Sequence, residues 1–292
     1  MITRLFYALV VGILLVGCSD PAPKRNKVKA AKDPKLKENL SVSRGNDNPL
    51  EEFDEKNIKE RLNVENGVSV EWIASPFKSN PTLKDGEVCL LSYRLTLPDG
   101  KIIDGNNRVK LPFIPYLVGY NMQIAGWDLG LHHLRVGDFA KVIIPADMAY
   151  GSKGINNIVP PNSEVWLYVK VLAKVSPDGD KNGVKYWVFD KGKPTKLDDS
   201  EDKEVFYHAI ASTKSNPNVQ NTYRKHLTLS YIPGQRNVVP GLRSLLKAAR
   251  PGQKIFALIS SEQAYGKQGY GALVQPDESV FYNLSISSVR EL

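Results

Sequence analysis

IAGWDLGLHHLRVGDFAKVIIPADMAYG, residues 124–151, is matched 115 positions later by VPGLRSLLKAARPGQKIFALISSEQAYG, residues 239–266. Gly126, Gly137 and Tyr150 correspond to Gly241, Gly252 and Tyr265. The same offset carries Val159 to Val274, Pro161 to Pro276 and Val165 to Val280. Upstream, Glu87-Val88 pairs with Glu204-Val205 at an offset of 117, so the second copy is two residues shorter between these landmarks. A repeat of this length holds a whole core, which points to tandem domains and not to a solenoid of short units.

Each copy predicts one short helix among strands. In the first, Ile124, Trp127, Leu131 and Leu134 fall at i, i+3, i+7 and i+10, one helical face, with Gly137 beyond as a stop signal. The runs EVCLLSYRL (87–95), FAKVIIP (139–145) and EVWLYVKVL (164–172) read as strands, some bounded by turn sequences such as Pro-Asp-Gly. Many strands with a single short helix predict an α+β architecture, an antiparallel sheet wrapped over that helix.

Composition narrows the function. The chain of 292 residues is 42% hydrophobic and 24% charged, which excludes wholesale disorder and a polytopic membrane protein. A net charge of +8 without a concentrated patch does not imply nucleic acid, and none is expected as a partner. Two cysteines and four histidines leave little for a metal site, and no metal or cofactor is expected.

The N-terminus carries its own reading. Arg4 precedes an apolar run from Leu5 to Gly17, too short for the roughly 20 residues of a membrane span. It reads as the apolar stretch of a signal peptide covering residues 1–17. Leu15-Val16-Gly17-Cys18 resembles a bacterial lipobox, which implies cleavage before Cys18 and a diacylglycerol on its thiol. Cys89, inside an apolar strand, reads as a buried free thiol. Residues 18–60 read as a tether beside the membrane, since within residues 19–37 Lys24, Arg25, Lys27, Lys29, Lys32, Lys35 and Lys37 face only Asp20 and Asp33. Near its end EEFDEKNIKERL (51–62) reads as one short helix with no clear partner. Residues 61–176 and 177–292 then form the two domains.

The ordered runs DGKIID (99–104), LPFIPYLVG (111–119), GWDLGL (126–131), VGDFAKVIIPADMAYG (136–151) and IVPPNSEVWLYVKV (158–171) resemble the FKBP-type peptidyl-prolyl cis-trans isomerases. The resemblance implies a five-stranded antiparallel half-barrel around a short helix, with a shallow apolar site between them and no metal or nucleotide. It implies that Trp127 is the floor beneath a prolyl ring, and that Ile103, Phe113, Ile124, Val159 and Leu167 line the substrate site with Tyr93. By the same resemblance Ile124 offers its N–H to a substrate carbonyl, Tyr150 its hydroxyl, and Asp104 orients Tyr93. Ile103 and Leu167 stand where the family often has aromatics, and an extra residue near Pro115 leaves the wall position open between Phe113 and Tyr116.

In the second copy the corresponding positions read Ile210, Asn221 and Leu242 in place of Tyr93, Asp104 and Trp127, while Tyr265 is kept. No acidic residue occurs from Val205 to Ser260, so no shift of alignment restores the carboxylate, and eight basic residues in that stretch predict a basic surface. The chain thus reads as a lipid-anchored isomerase with an inactive second domain, facing the periplasm of a bacterial envelope. Its expected partners are proline-containing unfolded or exported proteins, with the membrane engaged through Cys18. Ser19 after that cysteine points toward the outer membrane. The alternative is a non-catalytic chaperone or envelope scaffold that uses both modules for binding.

Overall fold

The computed structural model describes residues 49–109, 111–198 and 200–292. The residues read as a signal peptide, Cys18 and the basic part of the expected tether lie outside the described residues. The described chain forms two compact units. Unit 1 comprises its residues up to Leu83 together with Cys89–Tyr116 and Gln123–Lys174; unit 2 comprises Lys84–Val88, Leu117–Met122 and Val175–Leu292.

The first sheet holds β1 (Glu60–Asn63), β2 (Ser69–Ala74), β3 (Val88–Thr96), β4 (Ile102–Gly105), β5 (Ile114–Leu117), β6 (Phe139–Ile144) and β7 (Val165–Val175). They run in the order β1-β2-β6-β7-β3-β4, with β5 on β3. The second sheet holds β8 (Gly179–Lys181), β9 (Val184–Asp190), β10 (Lys203–Ser212), β11 (Gln220–Asn221), β12 (Leu229–Tyr231), β13 (Lys254–Ile259) and β14 (Val280–Glu291). Its order, β8-β9-β13-β14-β10-β11 with β12 on β10, is the same topology met again. Each sheet is therefore seven-stranded instead of five, because short strands add at the edge (β1, β8) and before the helix (β5, β12).

Helix α1 (Ala125–Leu131) belongs to unit 1 and helix α2 (Pro240–Lys247) to unit 2. At seven and eight residues neither is long enough to persist in water alone, so packing on its sheet must hold it. In α1 that packing is tight. A side chain at Gly126 would strike Ile144, and one at Gly130 would come within 2.5 Å of Val142, so only glycine lets the helix approach β6. The expected apolar face is the observed one, with Ile124, Trp127, Leu131 and Leu134 all buried. Gly137 does not end the helix. The last turn tightens at His133 and Leu134, whose N–H groups reach back to Gly130 and Leu131, and Gly137, with φ +94°, turns the chain into β6.

The span read as the end of a tether is folded from Pro49. A short helical turn (Pro49–Glu52) leads to Phe53, which meets Phe139 and Tyr168 edge-on at 5.6 and 5.2 Å. Glu60–Asn63 then pairs antiparallel with β2, so EEFDEKNIKERL is a turn, an aromatic anchor and an edge strand, not one helix. The sequence pattern missed this because β1 is exposed throughout and has no apolar alternation to show. Lys141 is the electrostatic counterpart of Phe53. It is buried yet ion-paired to Glu71 at 2.8 Å and Glu55 at 3.0 Å, with the Trp166 ring 4.5 Å away. Burial works against its charge, but the two carboxylates outweigh it and its pKa is raised. Cys89 is buried and in no disulfide among the described residues, as expected, its thiol donating to the Tyr116 carbonyl at 3.7 Å.

Candidate active site

Unit 1 gathers four of its singled-out side chains between β3, β4, α1 and the loop after β6. Tyr93 points from β3 toward the helix and is fully buried. Its hydroxyl donates to Asp104 Oδ2 at 3.0 Å, while Asp104 Oδ1 accepts the Gly105 N–H at 2.8 Å. The carboxylate is thus fixed at both oxygens. Trp127 lies 4.9 Å from the Tyr93 ring in an edge-on arrangement, buried, and its Nε1–H has no partner among the described residues. Tyr150 follows a short helical turn (Ala146–Met148) that Gly151 closes by donating to the Ala146 carbonyl at 2.7 Å.

The electrostatics keep both hydroxyls protonated. Burial, then the negative charge of Asp104, hold the pKa of Tyr150 and of Tyr93 well above the ordinary tyrosine value. Each is therefore a hydrogen-bond donor and not a base at neutral pH. Ile124 caps the N-terminus of α1, and its own N–H has no hydrogen-bond partner among the described residues. Ile103, Val159 and Leu167 are buried on β4, in the loop after Tyr150 and on β7. Val159 is held by paired backbone bonds with Ile155, at 2.8 and 2.9 Å.

Phe113 is only half-buried, just before β5. Tyr116, three residues on, is the aromatic that stacks on Trp127, at 5.5 Å and 28° between planes, and its hydroxyl donates to Asp128 at 2.9 Å. Sequence reasoning left Tyr116 as an alternative and passed over Asp128. The neighbourhood of Trp127 and Asp128 in the chain was the available signal. Among the described residues no three His, Cys, Asp or Glu side chains gather to hold a metal ion.

Unit 2 differs at each of these points, and its hydrogen bonds correct the sequence pairing. Tyr93 N–H donates to Asn106 Oδ1 at 2.5 Å; its equivalent is Ala209 N–H, which donates to Thr222 Oγ1 at 3.0 Å. Arg94 pairs with Gly105 as Ile210 pairs with Asn221. Tyr93 and Asp104 are therefore replaced by Ala209 and Gln220, not by Ile210 and Asn221. The offset between the copies thus falls from 117 at Val88 and Val205 to 116 at Tyr93 and Ala209, within a single strand. Leu242 does take the place of Trp127, buried on α2. Tyr282, set against Ala257 as Leu167 is set against Val142, brings in a ring, and burial and then neighbouring Tyr265 raise the pKa of its hydroxyl. Tyr207 adds another, its hydroxyl pushed up to about 12 by burial and then by Tyr265. These tyrosines pack with Leu242 and Val274 in one apolar cluster, so the region is core. The expected basic surface is also partly neutralised, since Glu201 pairs with Lys247 and Asp198 with Arg250.

An antiparallel sheet closed over one short helix, with an aromatic floor and fixed donors, defines a site for holding a small apolar ring, in one unit of two. The FKBP-type peptidyl-prolyl cis-trans isomerase model matches residues 80–172 and again 196–287, and the chain belongs to that family. It is 26% identical over 205 residues to human peptidyl-prolyl cis-trans isomerase FKBP10, covering 70% of this chain and 34% of that protein. The chain thus spans about a third of the length of that relative. Against Fkbp12 of Drosophila melanogaster it is 38% identical over 106 residues, which cover 36% of this chain and 96% of the relative. Among solved structures, the three FKBP domains of wheat FKBP73 align with 15% identity and a TM-score of 0.37, covering 77% of this chain and 96% of that one.

Proposed function

We propose that unit 1 catalyses cis/trans isomerisation of X–Pro bonds in exported proteins, and that unit 2 does not. The observation that carries this is the constellation of Trp127, Tyr93 hydrogen-bonded to Asp104, and Tyr150, present in unit 1 and dismantled in unit 2. Rotation about a peptide bond meets a barrier of about 18–20 kcal/mol set by amide resonance, and no bond breaks. Water stabilises the planar, polarised amide. A prolyl ring seated on Trp127 leaves that water, which favours the twisted state. Donors already in position, the Ile124 N–H and the Tyr150 hydroxyl, then hold the flanking carbonyls without reorganising.

The cellular setting belongs to the same proposal. The signal sequence and Leu15–Cys18 support a lipid anchor on the periplasmic side of the envelope, where newly exported chains await slow prolyl steps. The loss of the constellation in unit 2 favours a binding role for that module. The test is a prolyl tetrapeptide isomerisation assay on the full chain and its Asp104→Ala variant. A folded wild-type chain no faster than buffer overturns the enzyme reading. For the anchor, Cys18→Ser must move the protein to the soluble envelope fraction or leave its signal peptide attached; identical partition and mature mass refute it.

A further inference from the structure

We propose that Tyr116 and Asp128 form a positioning pair for the Trp127 indole, an inference that rests on the isomerase reading of unit 1. Tyr116 comes from β5 and is fully buried, its ring stacked on the indole. Its hydroxyl is tied to Asp128, the residue after Trp127 on α1. The strand that supplies the stacked ring is thereby bonded to the helix that supplies the indole. Stacking alone is weakly directional and lets rings slide, whereas a hydrogen bond to a carboxylate fixes distance and direction. From the other side Tyr93 meets the indole edge-on and is tied to Asp104. Trp127 therefore stands between two tyrosines, each anchored by its own aspartate. The Asp104 pair belongs to the site; the Asp128 pair acts through Trp127.

Unit 2 shows what happens without an indole to position. Tyr231 on β12 occupies the place of Tyr116 and is retained as core. The residue after Leu242 is Arg243, whose guanidinium donates to the Val238 carbonyl at 3.3 Å. A nearly buried carboxylate is costly to keep. The copy that lost the tryptophan also lost the acid beside it and kept the tyrosine, which is what a carboxylate serving the indole, and not the fold, leads one to expect.

The test uses the full chain with Tyr116→Phe, Asp128→Ala, both together, Asp128→Asn, and Val70→Ala as a buried control on β2, a strand that supplies no site residue. Two quantities are read: kcat and KM on a prolyl tetrapeptide, and the Trp127 indole N–H resonance. Tyr116→Phe and Asp128→Ala should each lower kcat about fivefold with KM little changed. Both should shift the indole resonance, and the double variant should be no worse than either single. Asp128→Asn keeps an acceptor and should restore most of the rate. Variants that lose thermal stability while rate and resonance stay at wild type overturn the proposal. So does a Val70→Ala chain, at equal loss of Tm, with an equal loss of rate. A folded but inactive wild type removes the isomerase reading instead; the resonance then decides, a shift upholding the pair and no shift refuting it.

Discussion

Units 1 and 2 run the same strand order around helices of nearly equal length, and both bury an apolar helix face beneath the sheet. They part company at the floor. Unit 1 keeps one indole flanked by hydrogen-bonded tyrosines, and leaves the N–H groups of Trp127 and Ile124 without partners among the described residues. Unit 2 replaces Trp127 by Leu242 and Tyr93 by Ala209, then regains ring volume through Tyr207 and Tyr282, whose neighbours are its own core. A module can lose its site while its fold survives, because refilling the pocket satisfies the same packing demand.

The sharpest way to break this comparison is to give unit 1 the residue of unit 2. Trp127→Leu in the full chain should reduce kcat/KM by about a hundredfold or more, to the level of buffer, since the floor and its donor go together. Any larger residual rate in a folded variant would assign activity to unit 2. Smaller losses should follow Tyr150→Phe, about tenfold through one lost donor, whereas Tyr265→Phe at the matching position should leave the rate unchanged. Equal effects of the two would mean that both pockets work.

Next in size is the aromatic anchor that unit 1 has ahead of its first strand. Phe53→Ala should lower the stability of unit 1 by about 2 kcal/mol, measured by urea unfolding, because Phe139 and Tyr168 lose an edge-on partner over buried Lys141. A chain starting at residue 61 should lose more, since Glu55 leaves Lys141 as well. No change in either would make the anchor incidental.

The smallest difference between units is expected at alkaline pH. Buried Tyr93 and Tyr150 in unit 1, and Tyr207 and Tyr282 in unit 2, all have raised pKa values. Above about pH 10 the unfolded chain releases these protons while the folded chain holds them. Stability should be intact below that pH and fall as it rises toward the folded values, in both units. Urea midpoints at pH 9 and pH 11 check the sign; a higher midpoint at pH 11 would contradict it.

Much of this was legible from the chain itself. The recurrence of Gly126, Gly137 and Tyr150 as Gly241, Gly252 and Tyr265 declared two copies, and the spacing of Ile124, Trp127, Leu131 and Leu134 declared the helix face. Local rules suffice there, because helical periodicity depends only on near neighbours. Missing acids between Val205 and Ser260 likewise excluded a carboxylate at the second site whatever the alignment. Residues joined only across the sheet escaped. The edge strand Glu60–Asn63 shows no alternation, and only its hydrogen bonds to β2 reveal it. Ala209 and Gln220 were displaced by one, because the offset between the copies changes within the strand and only the hydrogen bonds across it show where.

Sequence by itself determined the repeat, the α+β class and the types of residue available to each pocket, since these follow from composition and short-range pattern. Only the tertiary structure decided which tyrosine meets Trp127, that Asp128 anchors it, and that Tyr207, Tyr265 and Tyr282 converge in unit 2. Those contacts join separate strands and a helix, and a ring's partner is set by where the folded backbone places both, not by the distance between them along the chain.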